Sequence, residues 1–182
     1  MDRWLQQRRN SFFISLQKNA MKQNEFDTYE EYVKVQQKLT RRKTRRRRVR
    51  CFMHERVAAA IATDYGDGPL DLCICHGVRA GGELDMLVDA FGGRGRWIGT
   101  EITPELCDGV RILNRDFSVP DKEWLGSTDI IYTNSWDHPR DPAATAAAWV
   151  SCLRPGTGRL YVEWTKWHSK LGRGGGKGDC FA

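Results

Sequence analysis

Between Leu70 and Trp164, short apolar runs alternate with segments of helical periodicity, and this alternation constrains the chain more than any other feature. Leu70–Cys75 (LDLCIC), Arg96–Ile102 (RWIGTEI), Val110–Leu113, Asp129–Thr133 (DIIYT) and Leu160–Trp164 each have the length and apolar content of a strand. After the first of them, Leu84, Leu87, Val88 and Phe91 keep helical spacing until Gly92-Gly93 ends the run. Thr103-Pro104-Glu105 opens a helix after the second, and Asp141-Pro142 opens an Ala-rich helix to Leu153 before the fifth. Strands separated by helices or long crossovers pair in parallel and carry helices on both faces. The predicted fold class is α/β, a doubly wound and mostly parallel sheet.

The segments around this unit are of different character. Residues 1–25 are polar apart from Ser11–Leu16 and read as a flexible extension. Residues 26–69 read as N-terminal helices. A helix is predicted over Phe26–Leu39, where Thr28 and Glu31 form a capping-box pattern. A second is predicted from Val49, because Val49, Phe52, Met53, Val57, Ala60 and Ile61 fall at helical spacing. Thr63–Pro69 (TDYGDGP) stops it. The strand-bearing domain spans 70–168, and a glycine-rich tail, 169–182, follows. That tail is no phosphate loop, since no Ser or Thr follows Lys177 and no strand feeds a helix there.

Charge is concentrated in one place. Arg41–Arg50 (RRKTRRRRVR) holds eight basic and no acidic residues, which against a net charge of +6 leaves the rest of the chain at −2. Contact with a polyanion therefore rests on that strip. Seven Trp, seven Phe and five Tyr exclude disorder over the whole chain. No apolar stretch approaches the ~20 residues of a membrane span, and none near the start is long enough for a secretory signal. The six cysteines form no CxxC pair and the four histidines no ligand spacing, so no metal site is expected. This cysteine usage points to a reducing compartment, the cytoplasm, and the basic run also has the composition of a nuclear address.

Four features fall at the carboxyl ends of consecutive predicted strands, where open α/β sheets bind ligands. Gly77-Val78-Arg79-Ala80-Gly81-Gly82-Glu83 follows the first. Its glycines allow close backbone approach, and the N–H groups opening the next helix favour negative or polar groups. Glu101 ends the second strand and suits a ribose diol. Asp116-Phe117 follows the third, an acid and a ring suited to adenine. Asn134-Ser135-Trp136-Asp137-His138 follows the fourth, where a reacting group would lie. Asp137 and His138 are candidates for a general base pair.

In this order and spacing, together with Cys73-Ile74-Cys75-His76 before the first loop and Leu153-Arg154-Pro155-Gly156-Thr157-Gly158 before the fifth strand, these residues resemble class I S-adenosylmethionine-dependent methyltransferases. They are most similar to the group with a CLGxRxGxE first motif and an NSxDH motif after strand four. The resemblance implies a Rossmann-like sheet, S-adenosylmethionine as cofactor, and methyl transfer to an acceptor that is a small molecule, a protein or a nucleic acid. It implies that His76, Gly77, Val78, Arg79 and Gly81 hold the methionine part of the cofactor. Glu101, with Ile102 beside it, would bind the ribose, Asp116 and Phe117 would frame the adenine, and Asn134 and Ser135 would border the transfer face.

The sequence departs from the common pattern twice. Cys75 stands where the usual carboxylate partner of the cofactor's amino group would be, and Glu83 is the expected substitute. Such methyltransferases also continue with two further strands, for which too little sequence follows Trp164. The alternatives are a truncated, non-catalytic module that binds the same cofactor, and a nucleic-acid-binding protein acting through Arg41–Arg50. A nicotinamide-dependent oxidoreductase is weaker, because the loop lacks GxGxxG spacing.

Overall fold

The computed structural model describes residues 26–45 and 51–164. The expected extension over 1–25, the second half of the basic run at 46–50 and the glycine-rich tail lie outside the described residues. In chain order the elements are α1 (Tyr29–Arg45), α2 (Glu55–Tyr65), β1 (Leu72–His76), α3 (Gly82–Ala90), β2 (Arg96–Glu101), β3 (Ile112–Asn114), β4 (Ile130–Thr133), α4 (Pro142–Cys152) and β5 (Arg159–Val162). Single 3-10 turns occupy Pro104–Leu106 and Lys122–Trp124.

All five strands are parallel, in the order β3-β2-β1-β4-β5. The central β1 pairs His76 with Thr100 of β2 on one side and Thr133 of β4 on the other. The chain reverses its direction of travel across the sheet here, so a crevice opens between the loops leaving β1 and β4. The predicted doubly wound sheet is the observed one.

Each strand feeds two cores because its side chains alternate. Cys73, Cys75, Ile130 and Tyr132 face α2 and α3, where they meet Ala58, Ile61, Leu84, Leu87 and Phe91. Ile74, Ile98 and Ile131 face α4, where they meet Trp149 and Cys152, with Trp124 beside them. Full burial of one such side chain stabilises by about 1.5–3 kcal/mol. At the amino ends of the strands, the Asp129 carboxylate accepts from the Asp71 and Leu72 amides (2.6 and 3.0 Å) and from Arg154 Nε (2.6 Å). This ties the starts of β1 and β4 to the turn before β5.

Three expectations need correction. The helix expected to end at Leu39 runs on to Arg45. Arg and Lys are good helix formers and their charge suits a helix C-terminus, so the basic run extends the helix. The helix expected from Val49 begins only at Glu55. His54 is extended and its Nδ1 accepts from the Arg56 amide (3.2 Å), while Met53, before it, is buried in the core and Phe52 is exposed. The helical spacing of the sequence thus falls partly on a non-helical segment. Thr103-Pro104-Glu105 yields one 3-10 turn rather than a helix. The Asp108 carboxylate then accepts from the amides of Val110, Arg111 and Ile112 at 2.7–2.8 Å and turns the chain directly into β3.

Candidate functional site

The crevice at the carboxyl ends of the strands is built around the turn after β1. Gly77 (φ 74°), Arg79 (φ 50°) and Gly81 (φ 85°) are all left-handed. A Cβ on Gly77 would stand 2.4 Å from Ser135 Oγ, so only glycine lets the turn lie against the loop after β4. Arg79 holds its strained backbone because its N–H donates to Glu101 Oε2 (3.0 Å). The other Glu101 oxygen accepts from the Thr103 N–H (2.9 Å). Glu101 thereby clips the loop after β1 to the loop after β2. Each of its oxygens retains a second acceptor site.

The other walls follow from the next strand ends. Asp116 accepts from the Ser118 amide with Oδ1 (2.8 Å) and from the Tyr29 hydroxyl with Oδ2 (2.7 Å). Burial and this carboxylate push the Tyr29 hydroxyl up to about 12. Phe117 is fixed through its carbonyl, which accepts from Trp149 Nε1 (2.8 Å). Ser135 donates from its backbone to Thr133 Oγ1 (3.0 Å) and from Oγ to Asn134 Oδ1 (3.4 Å).

The structure brings eight of the fourteen expected site residues to one cleft: Gly77, Arg79, Glu101, Ile102, Asp116, Phe117, Ser135 and His138. The cavity they line is about 50 Å³. Val78 and Gly81 stand behind this wall, Val78 in the core and Gly81 against Ile112. His76 does not face the cleft. Its ring is stacked on Trp149 (5.4 Å), and its Nδ1 lies 2.9 Å from Thr100 Oγ1. Burial lowers its pKa to about 3, so it is a neutral core residue.

Glu83 is also buried behind the wall. Its Oε1 accepts from the Phe52 amide (2.7 Å) and from Asn134 Nδ2 (3.3 Å), which fixes Asn134 and joins the segment before α2 to the site. Its Oε2 is buried and has no hydrogen-bond partner among the described residues. Asp137 is buried, and its Oδ1 is 3.8 Å from His138 Nε2, beyond hydrogen-bond reach. The expected base pair is adjacent, with only His138 in the cleft wall.

From sequence, the helices before the first strand are expected to cover part of the sheet and the acceptor site, but the residues that do so are not named. Tyr32, Gln36, Leu39, Thr40 and Lys43, all on one side of α1, complete the cleft. Gln37 Nε2 donates to the Ile102 carbonyl (3.0 Å), and Arg41 pairs with Glu105 (2.7 Å). The apolar positions Tyr29, Tyr32, Val33 and Val35 signalled that α1 packs on something, and the structure supplies what. The Arg79 guanidinium lies 4.7 Å from the centre of the Phe52 ring; burial lowers its pKa, and the nearby Glu83 and Glu101 carboxylates partly offset this.

No protein-family model matches the sequence, and no curated protein does. Among solved structures the fold matches that of the sugar N-methyltransferase KedS8 from Streptoalloteichus sp ATCC 53650, with a TM-score of 0.51 and 17% identity. The match covers 69% of this chain and 54% of that one, so the chain spans about half the length of this neighbour. At this identity the likeness shows the fold, a Rossmann-like α/β sheet of the kind found in a methyltransferase.

Proposed function

We propose that the chain is an S-adenosylmethionine-dependent methyltransferase. The observation that carries this reading is the convergence of Glu101, Asp116, Phe117, Gly77 and Ser135 on one cleft at the switch point of the sheet. The residues fit the cofactor. Glu101 and Asp116 keep unused acceptor capacity toward ribose hydroxyls and an adenine amino group. Phe117 supplies a ring face, and Gly77 lets the backbone approach closely. The Arg79 guanidinium lines the cleft and would pair with the carboxylate of the methionine part.

When bound, the cofactor supplies an electrophilic methyl group on a sulfonium. Such a transfer depends mainly on in-line positioning, which is what rigid walls and a roof provide. Ser135 and His138 form the wall after β4. His138 is placed to take a proton from the attacking hydroxyl or amine of the acceptor. Helix α1 covers the cleft from above. The likeness to a sugar N-methyltransferase adds support for the reaction class and leaves the acceptor open.

Thermal unfolding with S-adenosylmethionine, S-adenosylhomocysteine and NADH tests this reading. Either of the first two, at a hundred times its Kd, should add about 2.7 kcal/mol of stability. A shift with NADH alone, or with none of the three, would contradict it.

A further inference from the structure

The charge on α1 has no part in the proposed chemistry. From Tyr32 to Arg50 there are ten basic residues and no acidic one, which leaves the rest of the chain at −4. The helix sorts its side chains. Tyr32, Gln36, Leu39 and Thr40 turn into the cleft. Lys34, Lys38, Arg42 and Arg45 follow one another at intervals of four, four and three residues, and all four are exposed. They form one stripe along the outer face. A rise of 1.5 Å per residue spreads it over about 16 Å, with a positive charge about every 5–6 Å. Among the described residues no carboxylate forms an ion pair with any of the four; Arg41, beside them, pairs with Glu105. In sequence the run continues through Arg46, Arg47, Arg48 and Arg50.

The geometry selects among anionic partners. A helix lying on a membrane needs its apolar face at the surface beside the charges, whereas the inward side of α1 is committed to the cleft. Seven of the ten basic residues are Arg, whose fork matches phosphate oxygens in pairs. A regular line of charge suits a polymer with regularly spaced charge. Lys43 is exposed and also lines the cleft, so the basic surface reaches the cleft mouth. We infer that the outer stripe of α1 binds the phosphate backbone of a nucleic-acid strand, and that nucleic acid is the acceptor class for the cleft. The second half of this rests on the methyltransferase reading.

The test is fluorescence anisotropy of the full chain with a labelled 20-nucleotide RNA, the same sequence as single-stranded and duplex DNA, and phosphatidylserine vesicles, from 50 to 300 mM salt. An RNA or DNA strand should bind, weakening with salt at about −0.7 per phosphate contact for single strands. The quadruple variant K34Q/K38Q/R42Q/R45Q should bind at least tenfold more weakly near 100 mM salt, with a slope shallower by about 2–3. Its melting temperature and its affinity for S-adenosylmethionine should stay those of the wild type, since none of the four residues lines the cleft. Methyl-labelled cofactor should pass its label to the bound strand. Equal affinity in wild type and variant, or binding to vesicles without binding to either nucleic acid, would overturn the docking surface. A strand that binds and takes up no label would overturn the acceptor assignment. Nucleic-acid binding without cofactor binding would sink the methyltransferase reading and leave the docking surface intact.

Discussion

A methyl group on Gly77 would meet Ser135 Oγ at 2.4 Å, from a backbone at φ 74°. Gly92 has a similar φ of 62° and open space around it. The pair separates backbone strain from collision. Gly92→Ala should cost about 1–2 kcal/mol, the left-handed penalty alone. Gly77→Ala should cost about 1–3 kcal/mol more, because the turn after β1 must part from the loop after β4. Urea denaturation of both variants measures the difference, and equal losses would contradict the close approach. His76 makes a second residue-scale prediction. Its pKa falls from 6.5 to about 3 on folding, through burial. The unfolded chain therefore binds the proton first, and stability drains away as pH falls from about 6.5 toward 3, by up to ~1.4 kcal/mol per pH unit. His76→Gln should flatten the pH dependence of urea stability between pH 6.5 and 4. An unchanged slope in that window would show that His76 is not held neutral.

Among the elements, the strands were legible, and so was a covering by helices before β1, but not the residues that line the roof. LCIC and IIYT are short apolar runs bounded by turn residues, and burial on both faces of a parallel sheet requires that composition. Glu101, Asp116, Phe117 and Ser135 were legible because a parallel sheet brings its strand ends to one rim, whatever the loops between them do. The start of α2 was misread because Phe52 and Met53 satisfy a helical spacing while lying before the His54 cap. Periodicity also cannot say what a helix packs on, so Gln36, Thr40 and Lys43 carried no signal of the cleft. His76 and Glu83 fell in a recognisable motif but stand behind the cleft wall, because β1 side chains alternate between faces and Glu83, in the first turn of α3, is buried against Asn134 and the Phe52 amide. The roof itself can be tested. Tyr29→Phe removes the hydroxyl that Asp116 accepts and should weaken the hold on α1 by about 0.5–1.5 kcal/mol. Hydrogen exchange should speed up in α1 by about 2–10-fold while β1 and β4 keep their protection. Unchanged exchange in α1 would mean that the helix is held by its other contacts.

On the scale of the whole molecule, one parallel sheet sets the two proposed functions side by side. Its order places the switch point between β1 and β4, and the loops there carry carboxylates, a ring and a glycine turn that suit an adenosyl group. The helix that roofs this cleft carries the basic stripe on its other side. The proposed cofactor recognition and the proposed backbone docking would thus share α1 without sharing side chains, apart from Lys43 at the mouth. Isothermal calorimetry with S-adenosylmethionine, on the wild type and on Glu101→Gln, measures the central claim most directly. Gln keeps the size of the side chain and one oxygen to accept from the Arg79 or the Thr103 amide, sets an NH2 donor against the other, and removes the charge offered to the ribose. The wild type should bind, and the variant, melting within a few degrees of it, should bind about 10–100-fold more weakly, the loss of a charge-assisted contact worth ~1.5–3 kcal/mol. Equal affinities in the two proteins, or no heat from the wild type, would contradict it.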